Sequence, residues 1–262
     1  MGGWENNMGG RVTIHTGYGE IFNRAAKFTV VSCKKDAPVY GEETPADSWY
    51  EVCAGVVRTC RYLPDGHRQV TGFFFPGDLI GVDGPMRRAA AEAVTPAVLH
   101  RYDHRLIDCP TERNEADASL VDRVLKHALR SAEDRVALLG LRSAAERVAG
   151  FLISMSAQAG QDGTIELPMC RLDIADHLAL TTETVSRTLS QFARRRLIGF
   201  CGPQRVRILD RCELEDMAGG PGTAAANEWE IRRDNTIAGD RARVMAAVAA
   251  PDASAWTRRS PQ

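Results

Sequence analysis

The segment 178–195, LALTTETVSRTLSQFARR, combines an apolar stripe and a polar face, both at helical spacing. Val185, Leu189 and Phe192 recur at positions i, i+4 and i+7, which predicts one buried side of a short helix. The hydroxyl of Thr181 can cap that helix at its N-terminus, and the connection before it is short enough for a tight turn. The segment therefore predicts the second helix of a helix-turn-helix.

The sequence on either side of this segment completes the motif. Upstream, Ile174, Ala175 and Leu178 share one helical face and predict the first helix. Downstream, residues 200–208 predict a two-stranded wing. Seven Arg stand between positions 187 and 211 against one acid, Asp210, and such a basic flank favours contact with phosphates.

The face of the second helix opposite the apolar stripe is polar. Its side chains project together at helical spacing: Thr182, Glu183, Thr184, Ser186, Arg187, Ser190. In the major groove an Arg can donate two hydrogen bonds to guanine, a Glu can accept one from cytosine, and hydroxyls can bind bases or phosphate. This face predicts contact with double-stranded DNA, although a solvated helix surface with incidental charges has a similar composition.

Composition limits the class of protein without naming a partner. The 262 residues carry a net charge of −1 with 44 % hydrophobic and 26 % charged residues, as in ordinary folded proteins. Seven cysteines, an odd number without C-x-x-C spacing, indicate thiols in a reducing compartment rather than a disulfide framework. Because no apolar run is long enough for a signal peptide or a membrane span, we predict a cytoplasmic protein without a membrane partner.

The remaining chain predicts an α+β protein with three folded parts. Between about residues 25 and 105, short apolar runs alternate with turns such as Pro64-Asp65-Gly66, which is typical of an all-β sandwich or jelly roll. From about residue 111, apolar residues including Leu120, Val124 and Leu125 follow helical spacing. That helix faces either the core of its own chain or its twin in a second subunit.

These patterns give the predicted boundaries. They are an N-terminal arm (1–24), a jelly-roll domain (25–110), a long helix (111–140) that would be a dimerisation helix in the second of these alternatives, a winged helix-turn-helix domain (141–216) and a mobile C-terminal tail (217–262). The tail contains too few large apolar residues to bury much surface.

Residues 168–198 resemble the winged helix-turn-helix of the CRP/FNR family of bacterial transcription regulators. The run Glu183-Thr184-Val185-Ser186-Arg187 matches the FNR and FixK branch. Residues 45–81 independently resemble the cyclic-nucleotide-binding-type jelly roll of the same family. The resemblance implies a homodimer that places one recognition helix in each half of a palindrome, with half-sites about one DNA turn (~34 Å) apart.

The resemblance also implies roles for individual residues. Base contacts are expected from Thr182, Glu183, Ser186, Arg187, and phosphate contacts from Arg171, Thr184, Ser190. The implied site is TTGAT, four base pairs and ATCAA, from which the dimer would recruit RNA polymerase and control genes of microoxic or anaerobic metabolism. One departure is Ala179, where many relatives carry Gly; a left-handed backbone there would cost Ala about 1 kcal/mol relative to Gly.

The sequence does not predict a cofactor. Cyclic-nucleotide receptors of this family carry Gly-Glu followed by Arg-Ser, whereas this chain has Gly81-Val82 followed by Arg88-Ala89, so we expect no strong cyclic-nucleotide binding and place Arg87 and Arg88 on the surface. An iron–sulfur sensor needs a thiolate cluster near the N-terminus, yet no Cys precedes Cys33. No His has a pattern that supports haem ligation, although a haem or small-molecule sensor stays an alternative.

Cys170 is predicted at the N-terminus of the first helix, beside Arg171. A helix N-terminus and a nearby cation lower the pKa of a thiol and favour its oxidation. A capping or packing role would also explain a small residue here. The run Leu167-Pro168-Met169-Cys170-Arg171 resembles FixK proteins, in which a Cys in this region makes DNA binding sensitive to oxidants, and this resemblance implies a redox role.

Two further classes of protein are alternatives. A jelly-roll enzyme of the cupin type needs clustered His and Glu metal ligands, a pattern that residues 25–105 do not show. A ligand-binding module could use its C-terminal helices for contacts other than DNA. We therefore predict a regulator rather than an enzyme, and DNA binding separates it from the ligand-binding module.

Overall fold

The computed structural model describes residues 13–21, 24–82, 85–104, 129, 132–133, 136–156 and 163–219. Two predicted parts lie mainly outside these residues. They are the dimerisation helix over 111–140, including Leu120, Val124 and Leu125, and the C-terminal tail over 217–262. The described residues form an N-terminal β domain and a C-terminal helical domain with a small sheet.

The N-terminal domain consists of antiparallel strands in two sheets. The strands are β1 (Thr13–Ile21), β2 (Arg24–Cys33), β3 (Pro38–Tyr40), β4 (Ser48–Ala54), β5 (Val57–Tyr62), β6 (Arg68–Phe74), β7 (Leu79–Ile80), β8 (Ala90–Ala93) and β9 (Ala97–Asp103). One sheet has the order β1-β2-β9-β4-β7 and the other the order β3-β8-β5-β6. β1 lies in the stretch predicted as an arm, and it pairs with β2 along its whole length.

Alternation along the strands supplies the core of this domain. Val52 and Leu99 from the five-stranded sheet and Val57 and Ala91 from the four-stranded sheet are fully buried in one apolar cluster. Gly66, with φ of 82°, occupies the predicted turn between β5 and β6, a conformation that favours glycine. The predicted β domain is therefore confirmed.

The C-terminal domain contains the predicted helix-turn-helix and wing. Its helices are α1 (Ala144–Met155), α2 (Arg171–Leu178), α3 (Thr182–Arg194) and α4 (Arg211–Met217), and its strands are β10 (Thr164–Glu166), β11 (Ile198–Gly202) and β12 (Arg205–Ile208). The three strands form one sheet in the order β10-β12-β11. In the described part of the chain, no helix combines the length and apolar character that crossing a membrane requires.

The two domains pack against each other through α2 and β6. Phe73 of β6 and Phe151 of α1 belong to one apolar cluster, and both contact the ring of His177, with centroids 5.2 and 5.9 Å away. His177 Nδ1 also lies 3.2 Å from the carbonyl oxygen of Val70. The first helix of the helix-turn-helix is thus fixed to the β domain.

An ion-pair cluster formed by Arg58, Arg68, Glu92, Asp173 and Asp176 surrounds this contact. The Asp173 side chain is 2 % exposed, and its carboxylate accepts hydrogen bonds from Arg58 Nη1 at 3.1 Å and Arg68 Nη2 at 2.6 Å. Arg58 also donates to Glu92, and Arg68 to Asp176. Burial alone would raise the pKa of Asp173, but the Arg58 charge and the hydrogen bonds from Cys170 and Arg68 outweigh burial and hold that pKa below its usual range.

Candidate nucleic-acid interface

The turn between α2 and α3 is built around Ala179. This residue has φ of 52° and ψ of 49°, the left-handed conformation, and its N–H donates to the carbonyl of Ala175 at the end of α2. The left-handed backbone expected from the sequence is therefore present without a glycine. Thr181 then caps α3, because its Oγ1 accepts a hydrogen bond from Thr184 N at 3.1 Å, as predicted.

α3 separates its two faces as the sequence predicted. Val185, Leu189 and Phe192 are each at most 2 % exposed and pack in the core of the C-terminal domain. Of the six residues of this helix that are predicted to contact DNA, Thr184 is half-buried and the other five are exposed: Thr182, Glu183, Ser186, Arg187, Ser190. The apolar stripe holds the helix in place and leaves the polar face open.

Glu183 and Arg187 form an ion pair on the open face. The distance from Arg187 Nη2 to Glu183 Oε1 is 2.5 Å, and the two side chains are 75 % and 69 % exposed for Arg187 and Glu183 respectively. Such exposed pairs contribute little to stability, so their opening costs little free energy. The ion pair can therefore open, and each side chain can then bind the edge of a base instead.

The hydroxyls on this face already donate to their own helix. Ser186 Oγ donates to the Thr182 carbonyl at 2.9 Å, and Ser190 Oγ donates to the Ser186 carbonyl at 2.8 Å. In these rotamers the hydroxyl oxygens can accept hydrogen bonds, as from a base amino group, but cannot donate to phosphate. The predicted phosphate contact by Ser190 therefore requires its hydroxyl to rotate.

The start of α2 is organised by a capping box. Cys170 Sγ accepts from Asp173 N at 3.5 Å, while Asp173 Oδ2 accepts from Cys170 N at 3.3 Å. The Cys170 residue is exposed. Beside it, burial lowers the pKa of the half-buried Arg171 guanidinium, which makes no hydrogen bond or ion pair with any described residue. Arg171 can therefore direct its donors to a phosphate.

The wing is attached to the loop before α2. Leu167 N donates to the Gln204 carbonyl at 2.7 Å, and Gln204 Nε2 donates to the Pro168 carbonyl at 3.1 Å. Phe200 on β11 is 49 % exposed. These contacts fix the orientation of the hairpin relative to the helix-turn-helix.

The excess of positive charge along this surface is smaller than the sequence count suggests. Four of the seven Arg pair with acids from outside the window 187–211: Arg187 with Glu183, Arg195 with Glu213, Arg205 with Glu166, Arg211 with Glu215. By contrast, Arg194 and Arg196 are exposed and form no ion pair within the described residues. These two cations, with Arg171, are the ones left to neutralise phosphate.

Arg87 corrects the sequence-based interpretation of the β domain. It was expected on the surface, yet it is 2 % exposed. Its guanidinium donates to the carbonyls of Gly81 and Ser48 and lies 4.3 Å from the ring centroid of Tyr40. These partners are distant in sequence, so local composition gave no indication of the burial. The side chain fills space beside Gly81, where this chain has Gly-Val in place of the Gly-Glu of cyclic-nucleotide receptors.

The ion-pair cluster between the domains was also missed. Its contacts link residues 105 to 115 positions apart, from β5 and β6 to α2. The sequence carried one indirect signal, since Asp173 and Asp176 are acids on the helix that precedes a DNA-reading helix, where phosphate repulsion disfavours acids. Their use as partners for Arg58 and Arg68 explains them.

Comparison with known proteins agrees with this architecture. Residues 30–107 match the model of the cyclic nucleotide-binding domain, and residues 146–217 match the Crp-like helix-turn-helix domain. The nitrogen fixation regulation protein FixK of Azorhizobium caulinodans is 33 % identical over 196 residues, which cover 72 % of this chain and 79 % of that protein. The chain belongs to the CRP/FNR family.

This CRP/FNR protein is similar in sequence to further regulators and similar in fold to a solved structure. The transcriptional activatory protein AadR of Rhodopseudomonas palustris is 34 % identical over 204 residues, covering 76 % of this chain and 84 % of that protein. The structure of FixK2 from Bradyrhizobium japonicum has a TM-score of 0.70 and 37 % identity, covering 74 % of this chain and 99 % of that one. The protein is a DNA-binding transcription regulator rather than an enzyme.

Proposed function

We propose that this regulator binds a palindrome of the type TTGAT, four base pairs and ATCAA, and activates genes of microoxic or anaerobic metabolism. The observation that carries the proposal is the exposed Glu183 and Arg187 pair on the open face of α3. Arg187 donates to guanine and Glu183 accepts from cytosine in the major groove, while Ser186 and Thr182 contact neighbouring bases. The names of relatives support the metabolic role, since they include FixK and the fumarate and nitrate reduction regulatory protein of Vibrio cholerae.

Contacts with phosphate position the helix in this proposal. Arg171, Thr184 and Ser190 hold the backbone on either side of the groove, and the exposed Arg194 and Arg196 add neutralising charge. The predicted helix with Leu120, Val124 and Leu125 joins two subunits, so that two copies of α3 meet successive major grooves about 34 Å apart. The bound dimer then recruits RNA polymerase.

A binding experiment tests the proposal directly. Fluorescence anisotropy of the full chain is measured on the palindrome and on a duplex with both half-sites scrambled but the same base composition. Specific complexes are typically at least ~10³-fold tighter than non-specific ones at physiological salt. Equal affinity for the two duplexes would contradict the operator, and sedimentation of the complex reports whether two subunits are bound.

We propose that activity does not require a cyclic nucleotide. The support is Arg87, whose buried guanidinium is already engaged by carbonyl oxygens and by the Tyr40 ring beside Gly81. A phosphate at this place would have to displace the side chain from those partners. Addition of cyclic AMP should leave the affinity for the palindrome unchanged, and an increase would contradict this part of the proposal.

We also propose that oxidation of Cys170 weakens DNA binding. Each peroxide transfers one oxygen atom to the sulfur and leaves as water, so that two equivalents yield a sulfinate. Cys170 is exposed, whereas burial raises the pKa of the Cys33 and Cys60 thiols to about 11 and protects them. The sulfinate places negative charge at the start of α2, next to the proposed phosphate contact of Arg171.

A pair of capping variants separates charge from structure. Ser and Asp both accept the hydrogen bond from Asp173 N as good N-caps do, so both should preserve α2. Cys170→Ser should bind the palindrome normally and resist peroxide. Cys170→Asp should bind weakly even when reduced, by about 30-fold if each subunit loses ~1 kcal/mol to one phosphate.

Two results would contradict the redox proposal. One is equal peroxide sensitivity in the wild type and Cys170→Ser, and the other is normal binding by Cys170→Asp. Because Cys201 and Cys212 are also exposed, the Cys201→Ser and Cys212→Ser variants serve as controls and should stay as sensitive as the wild type.

A further inference from the structure

A Glu, a Cys and a His lie together on one side of the five-stranded sheet. They are Glu51 and Cys53 of β4 and His100 of β9, and their ligand atoms all lie within 4.8 Å of one another. Val52 and Leu99, their neighbours along the strands, are buried in the core between the two sheets. By alternation, the three polar side chains project from the opposite side of the five-stranded sheet.

The strand register brings these side chains together. Glu51 is paired directly with His100 across β4 and β9, and Cys53 follows Glu51 by two positions on the same strand. The register shifts between Val52 and Ala54, an irregularity that falls at Cys53. Such irregularities re-aim a side chain, and they are frequent beside functional sites.

Aromatic neighbours hold Glu51 and His100 in place. The Tyr102 hydroxyl donates to Glu51 Oε2 at 3.0 Å, and the ring of Phe28 stacks on that of His100 with centroids 3.9 Å apart. His100 Nδ1 lies 3.6 Å from the same Glu51 oxygen, and the two side chains are 26 % and 29 % exposed. The groups are therefore fixed on a rigid sheet yet remain open to solvent.

We propose that Glu51, Cys53 and His100 form a binding site for a divalent transition metal ion, with zinc as the best match. Thiolate, imidazole and carboxylate are the ligands that zinc takes in proteins, and tetrahedral zinc with bonds of ~2.0–2.3 Å sets its ligands about 3.5 Å apart. The observed spread needs only small side-chain adjustments to reach that arrangement. The Cys53 thiol releases its proton to solvent as the sulfur–metal bond forms.

Three protein ligands leave the fourth tetrahedral position to water or a small ligand. Tyr102 occupies the second shell, where its hydroxyl orients the Glu51 carboxylate. The site lies in the β domain, and β9 ends at Asp103, shortly before the segment predicted as the dimerisation helix. It does not depend on the proposed operator or on the Cys170 chemistry.

Cobalt provides a spectroscopic test on the full chain. The reduced protein is treated with a chelator, freed of it, and titrated with Co²⁺. We expect one ion per chain, visible d–d bands of tetrahedral cobalt, an ultraviolet thiolate-to-cobalt charge-transfer band, and displacement by one equivalent of Zn²⁺. Cys53→Ser should abolish the charge-transfer band, and His100→Ala should weaken binding by more than about tenfold.

Control variants address other thiols and folding. Cys170→Ser, Cys201→Ser and Cys212→Ser, which remove exposed thiols elsewhere, should leave the cobalt spectrum unchanged. Tyr102→Phe should keep the charge-transfer band because it removes no ligand. Zn²⁺ should raise the melting temperature of the wild type but not that of Cys53→Ser, whose fold is checked by circular dichroism.

Two results would overturn the proposal. One is a cobalt spectrum that survives both Cys53→Ser and His100→Ala, since the metal would then be held elsewhere. The other is the absence of saturable binding in the folded wild type. In that case Glu51, His100 and Tyr102 form a hydrogen-bonded group that serves only the stability of the sheet.

Discussion

Two neighbouring helices of this protein use the same chemistry, Arg with a carboxylate, in opposite surroundings. On α3, Arg187 and Glu183 pair with 75 % and 69 % of their side chains exposed. On α2, the Asp173 side chain is 2 % exposed and meets Arg58, which is 10 % exposed. The exposed pair opens at little cost, whereas opening the buried pair leaves charge in a medium of low dielectric constant.

The difference assigns separate tasks to the two helices. α2 directs Asp173, Asp176 and His177 toward the β domain. There the two carboxylates accept hydrogen bonds from Arg68, and His177 contacts the carbonyl oxygen of Val70. α3 directs its polar face to solvent. A regulator must keep one surface permanently engaged with its own chain and another free for its operator, and burial rather than residue type makes that distinction.

Removal of the buried carboxylate should have the largest effect. Asp173→Asn keeps an oxygen for the capping box, but it leaves Arg68 with Asp176 as its one carboxylate partner and Arg58 with Glu92 and the more exposed Asp36. We expect the free energy of unfolding to fall by about 3 kcal/mol, measured by urea denaturation. The control Asp176→Asn, whose side chain is 18 % exposed, should cost ~1 kcal/mol or less. Equal losses of unfolding free energy in the two variants would contradict the argument that burial sets the cost of removing a carboxylate.

The same carboxylate should make stability depend on pH. Because the pKa of Asp173 is lower in the folded than in the unfolded chain, ionised Asp173 stabilises the fold above the unfolded pKa, and this contribution disappears as the pH falls through the folded pKa. The loss therefore lies below about pH 4. Asp173→Asn should show a shallower decline in stability over this range, and parallel curves would contradict the assignment.

Arg187→Ala should have the next largest effect, on binding rather than folding. Loss of the donors to guanine should cost ~1–3 kcal/mol on the palindrome and flatten the preference at that base pair. Unfolding by urea should be unchanged, since the side chain is exposed. The matched control Arg194→Ala, at the C-terminal end of the same helix, should weaken all duplexes evenly. Base preference that survives in Arg187→Ala would contradict the proposed contact.

The turn between the two helices offers a smaller change of opposite sign. Ala179 adopts a left-handed backbone, which costs an L-residue about 1 kcal/mol or more relative to glycine. Ala179→Gly should therefore raise the free energy of unfolding by ~1 kcal/mol, partly offset by the greater freedom of glycine in the unfolded chain. A thermal denaturation curve that shifts downward would show that the Ala179 methyl group has packing contacts worth more than this strain.

The exposed pair itself should contribute least to folding. Glu183→Gln removes one charge but keeps the helix and its cap at Thr181. We expect the free energy of unfolding to change by less than about 0.5 kcal/mol. A loss comparable with that of Asp173→Asn would mean that the α3 pair is structural and is not held ready for DNA.

Local patterns predicted the motif that reads DNA. The stripe of Val185, Leu189 and Phe192, the cap at Thr181 and the wing all follow from residues within a few positions of one another, and the structure confirms them. The predicted base and phosphate contacts remain predictions, because they concern a partner that the chain alone does not contain.

Contacts between distant parts of the chain could not be predicted in this way. Arg58 meets Asp173 across 115 positions, and Arg87 meets Ser48 across 39. A charged residue whose partner lies on another element has the same local signature as a surface residue. For this reason the sequence predicts a surface position for Arg87 and does not predict the ion-pair cluster, whereas local spacing alone predicts the polar face with Glu183 and Arg187 on α3.

The ion pair of Glu183 and Arg187 on α3, whose charges sum to zero, also affects how the protein finds its operator among the many other sequences of a genome. On a random stretch of DNA, Glu183 offers a carboxylate to a groove lined by phosphates, which offsets the attraction of Arg187. Each stop at a wrong sequence should therefore be brief, and the protein should resume sliding or hopping sooner. In the proposed complex with the operator, the same carboxylate accepts from a cytosine amino group, so the repulsion that shortens the search is replaced by attraction at the correct site.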